Sequence, residues 1–508
     1  MSEENSSGPE PATRGAGARY PPAISADGGG AGDPVSQSTP HASEHTFKDT
    51  ATEPVPGNGT HPLDGLSARK KRSRRPRVPR RPPIPRVVSR PRPPGYHQAN
   101  TAYCAMSNFT DLYDTIHDDL RHWRERGITA EVMDWLTEQL PAWPWVNRAV
   151  GVAFVGGVPY ITTDPEKLRI KRLSQHRFML AAHLALFLSL QETFGPLLPD
   201  VELVVSTADM PTVITADYLN RTAAGEAPGV PPVLRFAKSD SYADILVPHI
   251  HFFARGFTQE TLSRVQQSRE RYPWGERNAT LFGRFTGYDR LIDPRAPETF
   301  RRGANGTNIC APRELKPPTV SCETRKHFVH EWAPQAVAAG APIDLLGARL
   351  DMFHHAHYKY LLNLDGQSIS TRLEQLLATG SLVVKEEGGY RAFYYPLLKP
   401  HVHYKPFWRQ GPEEVLDVLS WAARHDDEAA AIGARGQAFA QTYLHTRALV
   451  CYWFTIIKEL STLMRYTPAR GSPEGGRNTR HWKPVAEFME ETGWAEIGEH
   501  GKALELWN

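Results

Sequence analysis

Residues 358–384 constrain the fold more than any other stretch of this chain. Tyr358–Leu364 reads as a strand and is followed by the polar turn Asp365-Gly366-Gln367-Ser368-Ile369-Ser370-Thr371. Arg372–Ala378 then has helical spacing, and Ser381–Val384 is again a strand. A chain that leaves a strand through a helix and returns as a strand must cross over, so the two strands lie parallel. The same pattern is expected upstream, with strands at Val201–Ser206, Val233–Ala237, Ile245–Val247 and Ala279–Phe285. Val152–Ile161 predicts a hairpin turning at Gly156-Gly157, whose second strand Pro159 should confine to a sheet edge. Helical spacing runs through Asp111–Leu140, as a pair broken near Gly127, and through Arg177–Phe194, 413–426, 427–441 and 446–465. The fold class is α/β.

The first 95 residues are different. They hold 17 of the 43 prolines and few large apolar side chains, too little to offset the entropy of ordering. A disordered tail is expected there. The net charge of +3 hides a run of 12 bases and no acid from Arg69 to Arg92, while the chain beyond it is mildly acidic. The run suits a solvated basic linker, a nuclear localisation signal, an arm for a polyanion or a juxtamembrane patch facing anionic lipid, and the folded body carries no global charge signal for nucleic acid. No apolar run approaches a membrane span, and Met1-Ser2-Glu3-Glu4 does not open a secretory signal. The compartment stays open. The four cysteines, Cys104, Cys310, Cys322 and Cys451, lack metal-ligand spacing: Cys310 and Cys322 bridge a loop in an oxidising compartment, or all four are free thiols in a reducing one.

Candidate chemistry gathers where strands end. Asp209, in Thr207-Ala208-Asp209-Met210-Pro211, follows a buried strand and is either a turn or cap residue or a carboxylate in the ligand crevice of an open sheet. Gly366, Ser368, Ser370 and Thr371 precede a helix begun by Arg372, a pattern that suits either a capped helix or a phosphate site. Arg284, beside Gly283, and Arg290 add cations at a second strand end. His354, His355, His357, His401 and His403 lack acidic partners at suitable spacing, so packing rather than metal binding is expected.

An ordered run of motifs goes further. Tyr358-Lys359-Tyr360-Leu361-Leu362-Asn363-Leu364-Asp365-Gly366, then Ser370-Thr371-Arg372-Leu373, then Gly380-Ser381-Leu382-Val383-Val384-Lys385, then Phe393-Tyr394-Tyr395-Pro396 through His401-Val402-His403-Tyr404 resembles glycosyltransferase family 90, the capsule-associated family that includes protein O-glucosyltransferases and O-xylosyltransferases. Asp209-Met210-Pro211, Asp244-Ile245-Leu246-Val247-Pro248 and Trp274 through Arg284 fit it in order, although Phe282-Gly283-Arg284 inverts the family's Phe-Arg-Gly. The places where secretory members carry cysteines hold Ala356 and Thr379.

The resemblance implies a GT-B-like pair of Rossmann-like domains around a central cleft. On it the tail covers 1–95, an acceptor-side domain 96–265, a donor domain 266–440, and a closing helix with a C-terminal tail 441–508. It implies inverting transfer of glucose or xylose from UDP-glucose or UDP-xylose to a hydroxyl of a protein or glycan. Asp209 would be the base; Arg372, Ser370, Thr371, Ser368, Gly366, Arg290 and Arg284 would hold the diphosphate, with His251 and Phe253 at the sugar. No metal or other cofactor is expected. The alternatives are an inactive sugar-nucleotide-binding scaffold and a polyanion-binding protein acting through the arginine-rich tail.

Overall fold

The computed structural model describes residues 92–140, 148–163, 174–254, 264–265, 267–268, 270–313, 319–468 and 482–494. The tail expected over 1–95, up to residue 91, and most of the basic run lie outside these residues.

Helix Tyr96–Met106 opens the described part. Short helical turns cover Thr110–Trp123, and Ala130–Gln139 follows, so the first half of the expected helix pair is segmented. Five strands come next: β1 (Ala149–Val155), β2 (Val158–Ile161), β3 (Val201–Ser206), β4 (Val233–Arg235) and β5 (Ile245–Leu246). β1 and β2 form the expected hairpin, with Val155 opposite Val158 and both turn glycines at positive φ, 58° and 79°. A side chain would strain that turn. β3, β4 and β5 run parallel, and β1 joins β3 antiparallel. The hairpin's second strand is not the edge expected from Pro159: Lys483–Pro484 pairs outside it, opposite Ile161 and Tyr160. Two residues of pairing leave room for prolines on both strands.

The helix Ser174–Phe194 packs on this sheet, with Phe187 set 5.8 Å from Phe154 and 5.6 Å from Trp453. Contrary to the sequence expectation, His176–Leu197 is long and apolar enough to cross a membrane by length and composition. Its window is 67% buried inside the fold, which is how a core helix sits. The helix Thr446–Leu463 covers the same core: Phe454 stacks on Phe194 at 4.1 Å, and the Tyr452 hydroxyl donates to the Leu246 carbonyl at 3.1 Å.

The second half contains β6 (Asn278–Phe282), then β7 (Arg290–Ile292), β8 (Cys310–Arg313) and β9 (Thr319–Cys322), then β10 (Ile343–Asp344), β11 (Tyr358–Asn363), β12 (Leu382–Glu386) and β13 (Lys405–Phe407). Strands β10-β6-β11-β12-β13 form an all-parallel sheet, as the crossover pattern predicts. β7, β9 and β8 form a small antiparallel sheet that the pattern did not predict, because its strands are short and partly polar. Helices Leu373–Ala378, Glu414–Arg424 and Asp426–Tyr443 cover the parallel sheet. Gly433 lets the last of these close on the loop before β12, since a Cβ there would stand 2.6 Å from the Gly380 carbonyl oxygen.

All four cysteines are paired, Cys104 with Cys451 and Cys310 with Cys322, so the free-thiol alternative does not hold. The first bond ties helix Tyr96–Met106 to the core helix Thr446–Leu463 across 347 residues of sequence, and the second crosses directly paired positions of β8 and β9. Thiol labelling of the unfolded protein should tag none of the four cysteines before reduction and all four after it, and reduction should cost about 2–5 kcal/mol of stability in a denaturant titration. A cysteine labelled before reduction would contradict the pairing.

Candidate active site

Parallel strands of both sheets end at one cavity of about 630 Å³, a size that suits a small organic ligand. Asp209 follows β3, His249 and His251 follow β5, Arg284–Tyr288 follows β6, Arg349 follows β10, and Gly366–Arg372 follows β11. The crevice outside strand carboxyl ends is where open α/β sheets bind ligands.

The turn carrying Asp209 is held from below. Arg235, at the end of β4, donates to the Ala208 carbonyl at 3.0 Å and to the Thr212 hydroxyl at 3.1 Å. Its guanidinium pairs with Asp244 at 3.1 Å, and both side chains are fully buried. Asp244 in turn accepts from the backbone N–H groups of Thr212, at 3.2 Å, and Val213, at 2.8 Å. From the other side the Arg148 carbonyl accepts from the Thr207 N–H at 3.0 Å, and His176 Nδ1 lies 3.0 Å from the Thr207 hydroxyl. The next helix, Thr215–Ala223, begins six residues beyond Asp209, so Asp209 caps nothing. Burial raises its pKa, while Arg148 and Arg235 pull it down. A carboxylate whose pKa is raised by burial is a better proton acceptor than one in water.

The facing wall is cationic. Arg325 donates to the carbonyls of Thr286, Leu364 and Asp365 at 3.0, 2.9 and 2.9 Å, tying the β6 and β11 loops together. Burial, and then Arg372, lower its pKa to about 10. Arg372 donates to the Arg284 carbonyl and lies 5.4 Å from the Phe285 ring centre; burial and Arg349 lower its pKa. Arg284 lies over Phe282 and pairs with Asp344 at 2.9 Å. Asp344 balances Arg284, but carbonyl oxygens and an aromatic face position Arg325 and Arg372 while neutralising little of their charge, and such a wall favours an anion.

The cavity unites Asp209, Arg372, Ser370, Thr371, Gly366, Arg284 and His251. Three expected residues are elsewhere. Arg290 is fully buried behind the loop and paired with Glu386, which also accepts from the Asp365 N–H at 2.9 Å, so it braces the loop instead of meeting a ligand. The Ser368 side chain is buried away from the cavity. Phe253 packs into the core, and its neighbour Phe252 lines the cavity, because successive helical residues point about 100° apart. The helix begins at Leu373, with Arg372 as its cap residue.

Arg148, His176, Arg325 and Arg349 also line the cavity and were not expected from sequence. None sits in a motif; Arg325 acts on a loop 40 residues later in the chain. Its one local marker is the π-helical turn His327–Trp332 that follows it. Four of the five histidines pack as expected, His355 edge-on to Phe282 at 4.9 Å, His354 stacked on His357 at 4.6 Å and His403 5.0 Å from Phe439, whereas His401 is exposed in a turn at φ 63°. Among the described residues no three His, Cys, Asp or Glu side chains converge as a metal-binding group.

A family model described as Glycosyl transferase family 90 matches residues 104–296 and 345–475. The chain is 26% identical over 381 residues to an O-glucosyltransferase rumi homolog of Anopheles gambiae, covering 73% of this chain and 82% of that protein. It is 28% identical over 285 residues to protein O-glucosyltransferase 1 of Homo sapiens, covering 54% of this chain and 65% of that one. A solved structure, Anabaena Alr3699/HepE with UDP-glucose, aligns over 59% of this chain and 85% of its own, at 14% identity and a TM-score of 0.29.

Asp244→Asn should leave Arg235 buried without its counter-charge and destabilise the protein by about 3–5 kcal/mol in denaturant unfolding. A change below about 1 kcal/mol would mean that this pair does not hold the Asp209 turn.

Proposed function

The chain belongs to glycosyl transferase family 90, and from that membership we propose that it moves glucose from UDP-glucose to a hydroxyl group of a protein, with inversion at the anomeric carbon. One observation carries the proposal: a carboxylate of raised pKa, Asp209, lines the same cavity as the arginines at 284, 325, 349 and 372. The names of the mosquito and human relatives support glucose over xylose and a protein over a glycan acceptor. UDP-xylose remains the second donor to test. The two sheets with the cavity at their strand ends support a GT-B-like reading, with an acceptor-side half at 96–265 and a donor half at 266–440.

The chemistry follows from the charges. As the acceptor hydroxyl oxygen attacks the anomeric carbon, its proton passes to Asp209. The bond from that carbon to the diphosphate oxygen breaks on the opposite face, and the electron pair leaves with UDP. On this reading Arg372, Arg325, Arg349 and Arg284, which line the cavity together with Ser370 and Thr371, take up that charge. We propose that these guanidiniums do the work a divalent metal does elsewhere, so that turnover persists in a chelator.

Asp209→Asn should lower turnover about 10²–10⁴-fold while the affinity for UDP-glucose stays near wild type, because the base acts on the acceptor. Arg372→Ala should weaken UDP binding itself, as read by calorimetry on the full chain without added metal. A fully active Asp209→Asn enzyme would overturn the assignment of the base. Asp209 must be ionised to accept the proton, so activity is present above its pKa and is lost as pH falls through it. Burial raises that value, so the acidic limb of the kcat/KM profile should lie above the ordinary carboxylate range, and a limb within or below that range would contradict the role.

A further inference from the structure

Two buried polar groups in the cavity wall have no part in the reaction as drawn. His355, 3% exposed, ends the short helix Met352–His355. Its Nδ1 lies 3.0 Å from the Asp351 carbonyl oxygen, which can only accept, so Nδ1 carries the ring proton and Nε2 keeps a lone pair. Burial lowers the His355 pKa to about 4, so the ring is neutral. Among the described residues Nε2 meets no hydrogen-bond partner. Glu374, 2% exposed, stands two residues after Arg372. Its Oε1 accepts from the Tyr394 hydroxyl at 3.0 Å, and its Oε2 also meets no partner among the described residues. Both residues line the cavity.

We propose that His355 and Glu374 read hydroxyl groups on a ring of the bound nucleotide sugar, and so select which sugar nucleotide the enzyme accepts. The proposal rests on the nucleotide-sugar reading above. Its chemistry excludes the other parts of such a ligand. A lone pair on Nε2 and a carboxyl oxygen repel phosphate, which the arginines on the same wall attract. A hydroxyl both donates and accepts, so it can donate to Nε2 and can meet Oε2 whether Glu374 is ionised or protonated. Burial raises the Glu374 pKa to about 7, so both forms are within reach near neutrality. Both groups are also held in place. The His355 ring stands edge-on to Phe282, on which Arg284 is stacked, and Glu374 is fixed by the fully buried Tyr394. A site that leaves buried polar groups unpaired when a hydroxyl is missing discriminates strongly against the deoxy ligand.

The test measures calorimetric dissociation constants on the full chain for UDP, 2′-deoxy-UDP, UDP-glucose and UDP-glucose analogues that each lack one pyranose hydroxyl. Wild type, Glu374→Leu and His355→Phe, whose new side chains can neither donate to nor accept from a hydroxyl, are compared, with thermal unfolding to confirm that each variant folds. At least one deoxy ligand should bind wild type roughly 10- to 100-fold more weakly than its parent. The matching variant should bind parent and deoxy ligand alike. A ribose analogue giving this result places the pair at the nucleoside, and a pyranose analogue places it at the transferred sugar. If wild type binds every deoxy ligand as tightly as its parent, the proposal is wrong even should both variants fail to fold. It is equally wrong if folded variants discriminate as wild type does. Either result leaves the nucleotide-sugar reading standing, whereas a wild type that binds no UDP ligand at all overturns both.

Discussion

The Arg235–Asp244 ion pair is the contact on which the Asp209 side of the cavity depends. It joins the end of β4 to the residue before β5, two neighbouring parallel strands, and spends its remaining hydrogen bonds on the turn beyond β3. Neither charge meets water, so each must be satisfied by the other and by backbone groups. The Ala208 carbonyl and the Thr212 and Val213 N–H groups supply those contacts, and they are the flanks of the Asp209 turn. Desolvation of the pair and presentation of the carboxylate are therefore one arrangement. The same burial that makes the pair necessary raises the Asp209 pKa.

On the opposite wall the device is repeated with the charges exchanged. There a buried ion pair again lies underneath, and Arg284, Arg325, Arg349 and Arg372 face the cavity. Arg290 and Glu386 pair in the interior, and Glu386 holds the Asp365 N–H while the Asp365 carboxylate accepts from the Ser370 N–H at 3.2 Å. Burial raises the Asp365 pKa to about 6; Lys385 and Arg290 oppose the rise, and Glu386 adds to it. The loop is thereby folded against buried acids, and Ser370, Thr371 and Arg372 are left on the open side. Arg325 completes it by binding three carbonyls, which position a guanidinium without cancelling its charge.

This separation explains why the cavity is polar on both sides and still divides its tasks. A single carboxylate stands on the wall built by the first sheet, near Arg148 and His176. The cations gather on the wall built by the second sheet, where burial, and then their mutual repulsion, lowers the pKa values of Arg325 and Arg372. Bound anionic oxygen would relieve that repulsion, and a hydroxyl is the group that can meet the carboxylate. The helix Thr446–Leu463, bonded through Cys451 to the first helix, packs against the strand that precedes Asp209, so a late segment of the chain supports the sheet that carries it.

The sequence by itself determined the parts governed by local periodicity and turn chemistry. The Gly156-Gly157 hairpin, the buried strand before Asp209, the parallel strands around the 365–372 turn and the late helices all follow from spacing of apolar residues and from residues suited to positive φ. An ordered series of motifs then identified the family and seven of the cavity residues. Tertiary structure decided which side chains reach the cavity. Arg290 and Arg284 look alike as cations near strand ends, yet one is sealed against Glu386 and the other lines the cavity; Phe253 and Phe252 differ only in the direction each leaves one helical turn. Arg148 and Arg325 join the site from segments distant in sequence, and the cysteine partners lie as far as 347 residues apart. Local pattern carries no term for such contacts, because they exist only once the two sheets have folded and set their strand ends around one space.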